Sequence, residues 1–215
     1  DYILPVTVGA HVLNTLQYQA LNPVTKGHIL FITGVGNSAQ MQMYQVLSEV
    51  FVDAGYNTMI ATLPLGIPSP DSLARAGNYW AESLNGIMNA IDKSSPYSIV
   101  YASGTVAATL LSLYDTQRLP LPDALVVQDV FFAQHDENQT LPDLMARFPN
   151  ALLDLSQHRP NRWAQATVKA RRQILYAQAN RQKTHRQLHG MPITAKQRYL
   201  IYKEMSGWFK RLGWF

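Results

Sequence analysis

The sequence lacks cysteine altogether across its 215 residues. Disulfide-stapled scaffolds, thiol catalysis and cysteine-ligated metal sites are therefore excluded. Charged residues are scarce, at 15% of the chain, and no apolar run reaches the roughly 20 residues of a membrane helix. Hydrophobic residues make up 47%, which is enough for a well-buried core. We expect a single domain over residues 1–215 that does not cross a membrane.

Positive charge is concentrated at the C-terminal end, although the net charge is only +4. Residues 1–146 hold four Lys or Arg against twelve Asp or Glu, whereas residues 147–215 hold fourteen against two. Such a split is typical of a basic face that binds an acidic partner, or of solvated helices. Nucleic acid is disfavoured as that partner because no recognised binding motif is present. The candidate partner-binding residues are Arg171, Arg172, Arg181, Lys183 and Arg186.

Short β-rich runs alternate with amphipathic helical patterns along most of the chain. Strands are predicted at 27–33, 56–63, 97–102, 124–129, 151–156 and 185–188. Helices are predicted at 39–54, 71–92, 104–114, 141–148, 160–182 and 194–212, with a polar loop at 130–140. The N-terminal segment 1–26 is predicted to be extended, and residues 159–215 to form basic C-terminal helices. This alternation predicts an α/β protein with a doubly wound, mostly parallel sheet and helices on both faces.

The order of these elements is similar to that of α/β-hydrolases, with residues 99–111 in the place of the nucleophile elbow. The chain also resembles a family of bacterial envelope proteins known as domain of unknown function 3530. The shared motifs are Gly55-Tyr56 with Thr58 ahead of Leu63-Pro64, Gly104-Thr105 with Ala107, Leu153-Asp154-Leu155, Arg171-Arg172, His185-Arg186-Gln187 and Ser206-Gly207-Trp208. The resemblance implies an exported or periplasmic protein with an α/β-hydrolase-like fold. Because the chain begins at Asp1, we also expect a targeting segment to have been removed.

A serine hydrolase of this fold needs a nucleophile on a sharp turn, a base histidine and an orienting carboxylate. One register places Ser103 at the turn and the other places Gly104 there. The second is favoured because glycine accepts a strained backbone without penalty. The other candidates are His189 as the base, with His185 as second choice, and Asp154 or Asp129 as the acid. Asp154 lies inside an apolar strand, so a buried structural acid paired with arginine or with a helix N-terminus is also open.

The loop after the first buried strand is a candidate oxyanion hole or anion-binding loop, because a helix begins directly after it. It contains Gly34, Val35, Gly36 and Asn37. It completes neither a P-loop nor a dinucleotide fingerprint. We expect no cofactor and no metal, since the histidines at 185 and 189 lie in a predicted strand and loop rather than on a metal-binding helix.

Taken together, a turn with poor nucleophile flanks and a basic C-terminal end favour a non-catalytic, α/β-hydrolase-like protein. It would bind another envelope protein or an anionic surface through its basic C-terminal helices. The alternative is a serine hydrolase acting on an ester, thioester or amide bond, with Ser103, His189 and Asp154 or Asp129. Nucleic-acid binding ranks last of the three.

Overall fold

The computed structural model describes residues 2–8, 11–21, 24–34, 36–63, 80–89, 95–158, 160–177, 184–191 and 197–214. The strands are β1 (Tyr2–Val8), β2 (His11–Tyr18), β3 (Gly27–Gly34), β4 (Tyr56–Leu63), β5 (Ser98–Ser103), β6 (Ala124–Gln128), β7 (Ala151–Gln157) and β8 (His185–Met191). The helices are α1 (Ser38–Asp53), α2 (described over 80–89), α3 (Gly104–Asp115), α4 (His135–Arg147), α5 (Arg162–Ala177) and α6 (Gln197–Leu212). None of the described helices is long and apolar enough to span a membrane.

The described strands form one sheet in the order β1-β2-β4-β3-β5-β6-β7-β8. β1 and β2 make an antiparallel hairpin, and β2 pairs antiparallel with β4. β3 pairs parallel with β4, and β7 pairs parallel with both β6 and β8. The predicted mostly parallel sheet is therefore confirmed, and the extended N-terminal segment contains its antiparallel hairpin.

The chain divides into two compact units, of which the first holds residues 1–100 and 117–122. Its core contains an aromatic cluster. The ring centroids of Phe31 in β3 and Tyr44 in α1 are 5.1 Å apart, and those of Phe51 in α1 and Tyr56 in β4 are 5.5 Å apart. Tyr44, Leu47 and Phe51 recur at helical spacing, so α1 buries one face against the strands. The expectation of a single domain over residues 1–215 stays a prediction.

The second unit holds residues 101–116 and 123–215. All five residues of β6 are buried, as are the first six of β7, which agrees with their continuous apolar sequence. In α6, Trp208 and Phe209 are fully buried, and Trp214 stacks on Phe209 with ring centroids 5.5 Å apart. Trp214, the residue before the last in the chain, thus packs against the helix that it follows, α6.

Helix α4 begins at His135, where the sequence predicted a polar loop as far as residue 140. The prediction was wrong because the polar residues there stabilise a helix start. Asp136 and Glu137 lie in the first turn, where acidic side chains interact favourably with the helix dipole. The buried Asn138 side chain accepts from the Phe132 N–H at 3.0 Å and donates to the Trp163 carbonyl at 2.9 Å.

The packing around Gly27 predicts a loss of stability on adding one methyl group. A Cβ at this position would lie 3.0 Å from the backbone oxygen of Tyr97. Because that oxygen belongs to the backbone, relieving the contact requires a shift of main chain. We expect Gly27→Ala to lower the free energy of unfolding by about 1–3 kcal/mol, measured by chemical denaturation.

Gly207→Ala is the matched control, because Gly207 lies within α6 and an added Cβ meets nothing within 4 Å outside its own helix. Alanine there should stabilise the protein by about 0.5–1 kcal/mol through its higher helix propensity. A Gly27→Ala variant as stable as the wild type would contradict the tight contact with Tyr97.

Candidate active site

The turn between β5 and α3 has a left-handed backbone at Gly104. The φ angle of Gly104 is +59°, whereas that of Ser103 is −132°, in extended backbone. An L-residue with a side chain adopts positive φ only at a steric cost, which glycine avoids. The structure therefore has the register with Gly104 at the turn, and Ser103 carries a hydroxyl one residue before it.

The start of α3 presents backbone N–H groups beside this turn. Ser103 is the N-cap residue, but its side chain makes no capping hydrogen bond. The first N–H groups of a helix have no partner within the helix and carry a partial positive charge. Such groups can stabilise the negative oxygen that develops on a substrate carbonyl.

The loop after β6 closes against the same turn. The Phe131 N–H donates to the Gly104 carbonyl at 3.4 Å. The Phe131 ring lies so that its Cε1 atom is 3.4 Å from where a Cβ of Gly104 would be. The end of β5 and the loop after β6 are therefore in direct contact.

Asp129 directly follows β6 and has a φ of +46°. Positive φ is uncommon outside glycine, and such strain tends to occur at functional sites. The Asp129 N–H donates to the Leu155 carbonyl at 2.9 Å, and its Oδ1 accepts from the Gln157 N–H at 2.8 Å. These two bonds join the end of β6 to the end of β7.

Burial raises the pKa of the Asp129 carboxyl above its usual range. The hydrogen bond from the Gln157 amide lowers this pKa, and so do the Arg171 guanidinium and the Gln128 side chain. The Asp154 carboxylate raises it further, and burial is the largest effect, so the pKa is raised on balance. A carboxyl with a perturbed pKa at the carboxyl end of a parallel strand is a candidate functional group.

Asp154 is fully buried within β7 and is committed to a structural ion pair. Its Oδ2 accepts from Arg171 Nε at 3.0 Å and from Gln187 Nε2 at 2.8 Å. The open alternative of a buried acid paired with arginine is therefore confirmed. The role of Asp154 as the catalytic acid is not supported, because its charge is compensated inside the core.

His189 is exposed on β8, where it pairs with Ser156 of β7. In the strand order, β8 lies three positions from β5. Because Asp154 is bound by Arg171 and Gln187 inside the core, it is not placed to act as the acid of a triad with Ser103 and His189. The role of His189 stays a prediction.

His185, the second candidate base, is a buried structural histidine. Its Nε2 lies 3.2 Å from the Phe148 carbonyl, and its Nδ1 lies 3.1 Å from the Thr184 hydroxyl. Since a carbonyl only accepts, we assign the ring proton to Nε2. This arrangement holds the start of β8 beside the segment between α4 and β7.

His158 was missed as a candidate by the sequence reasoning. It is exposed directly after β7, and its N–H donates to the Met191 carbonyl at 2.8 Å. It follows Gln157, whose N–H binds Asp129. The signal was its position after a buried strand, at the edge of the sheet where function is expected.

In the first unit, the predicted anion-binding loop is only partly described. Gly34 ends β3, Gly36 has a φ of +84°, and Val35 lies outside the described residues. The Asn37 side chain caps α1 by accepting from the Gln40 N–H at 3.1 Å, and it donates to Gln40 Oε1 at 2.8 Å. The role of this loop stays a prediction, with the Asn37 side chain engaged within it.

Of the predicted partner-binding residues, three are described by the structure, and one of these does not lie at the surface. Arg171 was wrongly included, because its side chain is 0% exposed and pairs with Asp154. Arg172 is exposed over the Tyr176 ring, and Arg186 pairs with Glu204 at 3.0 Å. The remaining two, Arg181 and Lys183, lie outside the described residues. An anionic or envelope partner, and export to the periplasm, stay predictions.

No family model matches the sequence, and no curated protein matches it either. Solved structures match it over nearly the full length of both chains. Esterase 2 of Thermogutta terrifontis has a TM-score of 0.69 at 10% identity, covering 99% of this chain and 95% of that one. Est1E of Butyrivibrio proteoclasticus gives 0.68 at 8%, covering 98% and 99%. A putative dienelactone hydrolase of Klebsiella pneumoniae gives 0.67 at 13%, also covering 98% and 99%.

These comparisons show that the chain has an α/β-hydrolase-like fold. They also correct the functional prediction made from the sequence. A non-catalytic binding component was expected, but the proteins that share the fold are named as esterases, dienelactone hydrolases and serine hydrolases. The alternative prediction of a serine hydrolase fits them better.

The raised pKa of Asp129 predicts that removing its charge stabilises the fold near neutral pH. Folding penalises the charged carboxylate, so Asp129 stabilises the fold only at low pH, and this contribution is lost as pH rises through the folded pKa. Asp129→Asn stays neutral and keeps an oxygen that can accept from Gln157. We expect it to be more stable than the wild type at neutral pH and equally stable in acid, by denaturation at several pH values.

Asp136→Asn is the control, since it removes an exposed acid from the first turn of α4. Losing a favourable interaction with the helix dipole should destabilise the protein slightly at neutral pH, whereas Asp129→Asn is expected to stabilise it. The assignment of Asp129 as a strained, half-buried carboxyl with a raised pKa fails if Asp129→Asn is less stable than the wild type at neutral pH.

Proposed function

We propose that the protein hydrolyses an ester, thioester or amide bond by a serine mechanism. In this proposal Ser103 is the nucleophile, His158 is the general base and Asp129 is the acid that stabilises the protonated base. The three residues follow the Ser, Asp, His order along the chain that is usual for α/β-hydrolases. They stand at the ends of β5, β6 and β7, which neighbour one another in the sheet.

The observation that carries the proposal is the chain of backbone contacts across these three strand ends. The Phe131 N–H binds the Gly104 carbonyl, which joins the end of β5 to the loop after β6. The Gln157 N–H binds Asp129 Oδ1 at 2.8 Å, which joins the end of β6 to the end of β7. A hydroxyl, a carboxyl and an imidazole are thereby carried on consecutive, mutually bonded turns.

The chemistry that follows is acyl transfer to serine and then to water. The Ser103 Oγ would attack the substrate carbonyl carbon while His158 takes the hydroxyl proton. N–H groups at the start of α3 would stabilise the resulting oxyanion. Its collapse breaks the bond to the alcohol, thiol or amine, which leaves with the proton from His158. Water then releases the acid from Ser103 by the same steps.

Labelling with a fluorophosphonate probe tests the nucleophile, since such probes modify activated serines. The related esterase 2 of Thermogutta terrifontis is itself phosphorylated by paraoxon, another organophosphorus compound. We expect the wild type to gain one adduct by intact-protein mass spectrometry, and Ser103→Ala to gain none. Ser112→Ala is the matched control, because Ser112 lies further along α3, and it should label like the wild type.

An adduct that forms equally fast in Ser103→Ala would exclude Ser103 as the nucleophile. No adduct in the wild type, together with no hydrolysis of aryl ester, thioester and anilide substrates, would contradict the proposed function as a whole.

The choice of base is tested with two exposed histidines from neighbouring strands. His158→Ala should slow labelling and hydrolysis by about 100-fold or more, because a general base contributes on that order to such reactions. His189→Ala should leave both rates unchanged, since in this proposal His189 takes no part in the reaction. The reverse result, with loss of rate only in His189→Ala, would assign the base to His189 instead.

A further inference from the structure

Arg171 of α5 is a fully buried cation, with a side chain that is 0% exposed. Its guanidinium donates four hydrogen bonds to the second unit. The acceptors are Asp154 Oδ2 at 3.0 Å, the Val130 carbonyl at 2.9 Å, Thr167 Oγ1 at 2.9 Å and Ser156 Oγ at 3.3 Å. One side chain thus links α5 to β7 and to the loop after β6.

Two of these acceptors flank the hydrogen bond that holds Asp129. Val130 is the residue after Asp129, and Ser156 is the residue before Gln157, whose N–H donates to Asp129 Oδ1. The guanidinium therefore binds a residue next to each partner of the hydrogen bond between Asp129 and Gln157. Thr167, the acceptor within α5 itself, is not adjacent in the chain to Asp129 or Gln157.

The ion pair by itself is a weak source of stability. Withdrawing two charges from water costs several kcal/mol per ion before their attraction is counted, so apolar replacements of buried pairs are often neutral or stabilising. Here Asp154 Oδ1 has no hydrogen-bond partner among the described residues, which leaves the pair incompletely compensated. A contribution other than global stability is the better account of this arrangement.

We propose that Arg171 is a positioning residue, which holds Asp129 in its strained conformation by fixing Val130 and Ser156 on either side of it. This inference rests on the proposed function for its importance to activity. Arg171 itself does not reach the reacting atoms, because it lies in the core with Asp154. The left-handed φ of Asp129 needs such support, since strained backbone persists only where its surroundings enforce it.

Amide hydrogen exchange at Gln157 tests the positioning, and it requires no substrate. Ser156→Ala and Thr167→Val each remove one hydroxyl bonded to the same guanidinium and leave both charges of the ion pair intact. Ser156→Ala should speed exchange of the Gln157 amide by up to about ten-fold, the equivalent of one hydrogen bond. Thr167→Val should leave it within the error of the wild type.

A second measurement is the carboxyl titration of Asp129, followed by NMR with Asp129→Asn to assign the signal. Asp154 and Arg171 are the charged groups that act on this carboxyl, and neither changes in the two hydroxyl variants. Loosening the turn weakens the Gln157 hydrogen bond, which raises the pKa, but it also exposes the carboxylate to water, which lowers it. Because burial is the larger of the two effects, Ser156→Ala should bring the pKa of Asp129 down towards the usual range. In Thr167→Val the raised pKa should persist.

The double variant Arg171→Met with Asp154→Leu removes the pair without leaving an unpaired charge. If it folds, we expect a melting temperature close to that of the wild type but faster exchange at Gln157 and slower fluorophosphonate labelling. Unchanged Gln157 exchange in the folded double variant would overturn the proposal. Where the double variant does not fold, equal effects of Ser156→Ala and Thr167→Val would overturn it. Neither result depends on whether the wild type proves to be a hydrolase.

Discussion

The burial of the Arg171 guanidinium is the constraint that links α5, β7 and the loop after β6. A cation withdrawn from water must find acceptors in fixed directions, or its burial costs more than the fold can tolerate. Its acceptors come from three places: a carboxylate and a hydroxyl in β7, a carbonyl after β6 and a hydroxyl within α5. Satisfying them together sets the position of α5 on the strands and the path of the chain as it leaves β6.

Two positive φ angles occur at the carboxyl ends of neighbouring strands. Gly104 after β5 and Asp129 after β6 both turn the chain sharply at the edge of the sheet. Glycine adopts this conformation without help, whereas Asp129 requires the bonds to Leu155 and Gln157. The strain is therefore concentrated at a carboxyl group that packing holds partly out of water, which is also why its pKa is raised.

The sequence predicted the elements whose signals are local. Continuous apolar runs identified β3, β4, β5, β6 and β7, and the positions of Gly104 after β5 and Asp129 after β6 followed from them. The start of α4 was missed because its acidic and amide residues resemble a loop until their contacts with the helix start are seen. Arg171 was assigned to a surface because its partner Asp154 lies 17 residues away, and such a pairing has no local signature.

The choice between His158 and His189 likewise depends on the order of strands in the sheet, which a local sequence pattern does not give. Both histidines lie at or beside the ends of strands, and a local pattern does not distinguish them. Our proposal chooses His158 by the order of strands in the sheet, which places β7 two positions from β5 and β8 three. That order results from the packing of the whole sheet, so it was available only once the strands had been placed.

The glycine at the turn separates two features that usually occur together in this fold, namely the backbone N–H donors at the start of the helix and a nucleophilic side chain at the turn itself. A side chain at residue 104 would meet only the Phe131 ring, at the ordinary contact distance of 3.4 Å, so space does not explain its absence. The backbone nevertheless keeps the left-handed turn, and with it the direction of the N–H groups that begin α3. These donors depend on the backbone alone, whereas the nucleophile depends on a side chain. The N–H groups proposed to stabilise an oxyanion therefore do not require a side chain at residue 104. In the proposed mechanism the attacking hydroxyl comes instead from Ser103, one residue earlier at the end of the strand.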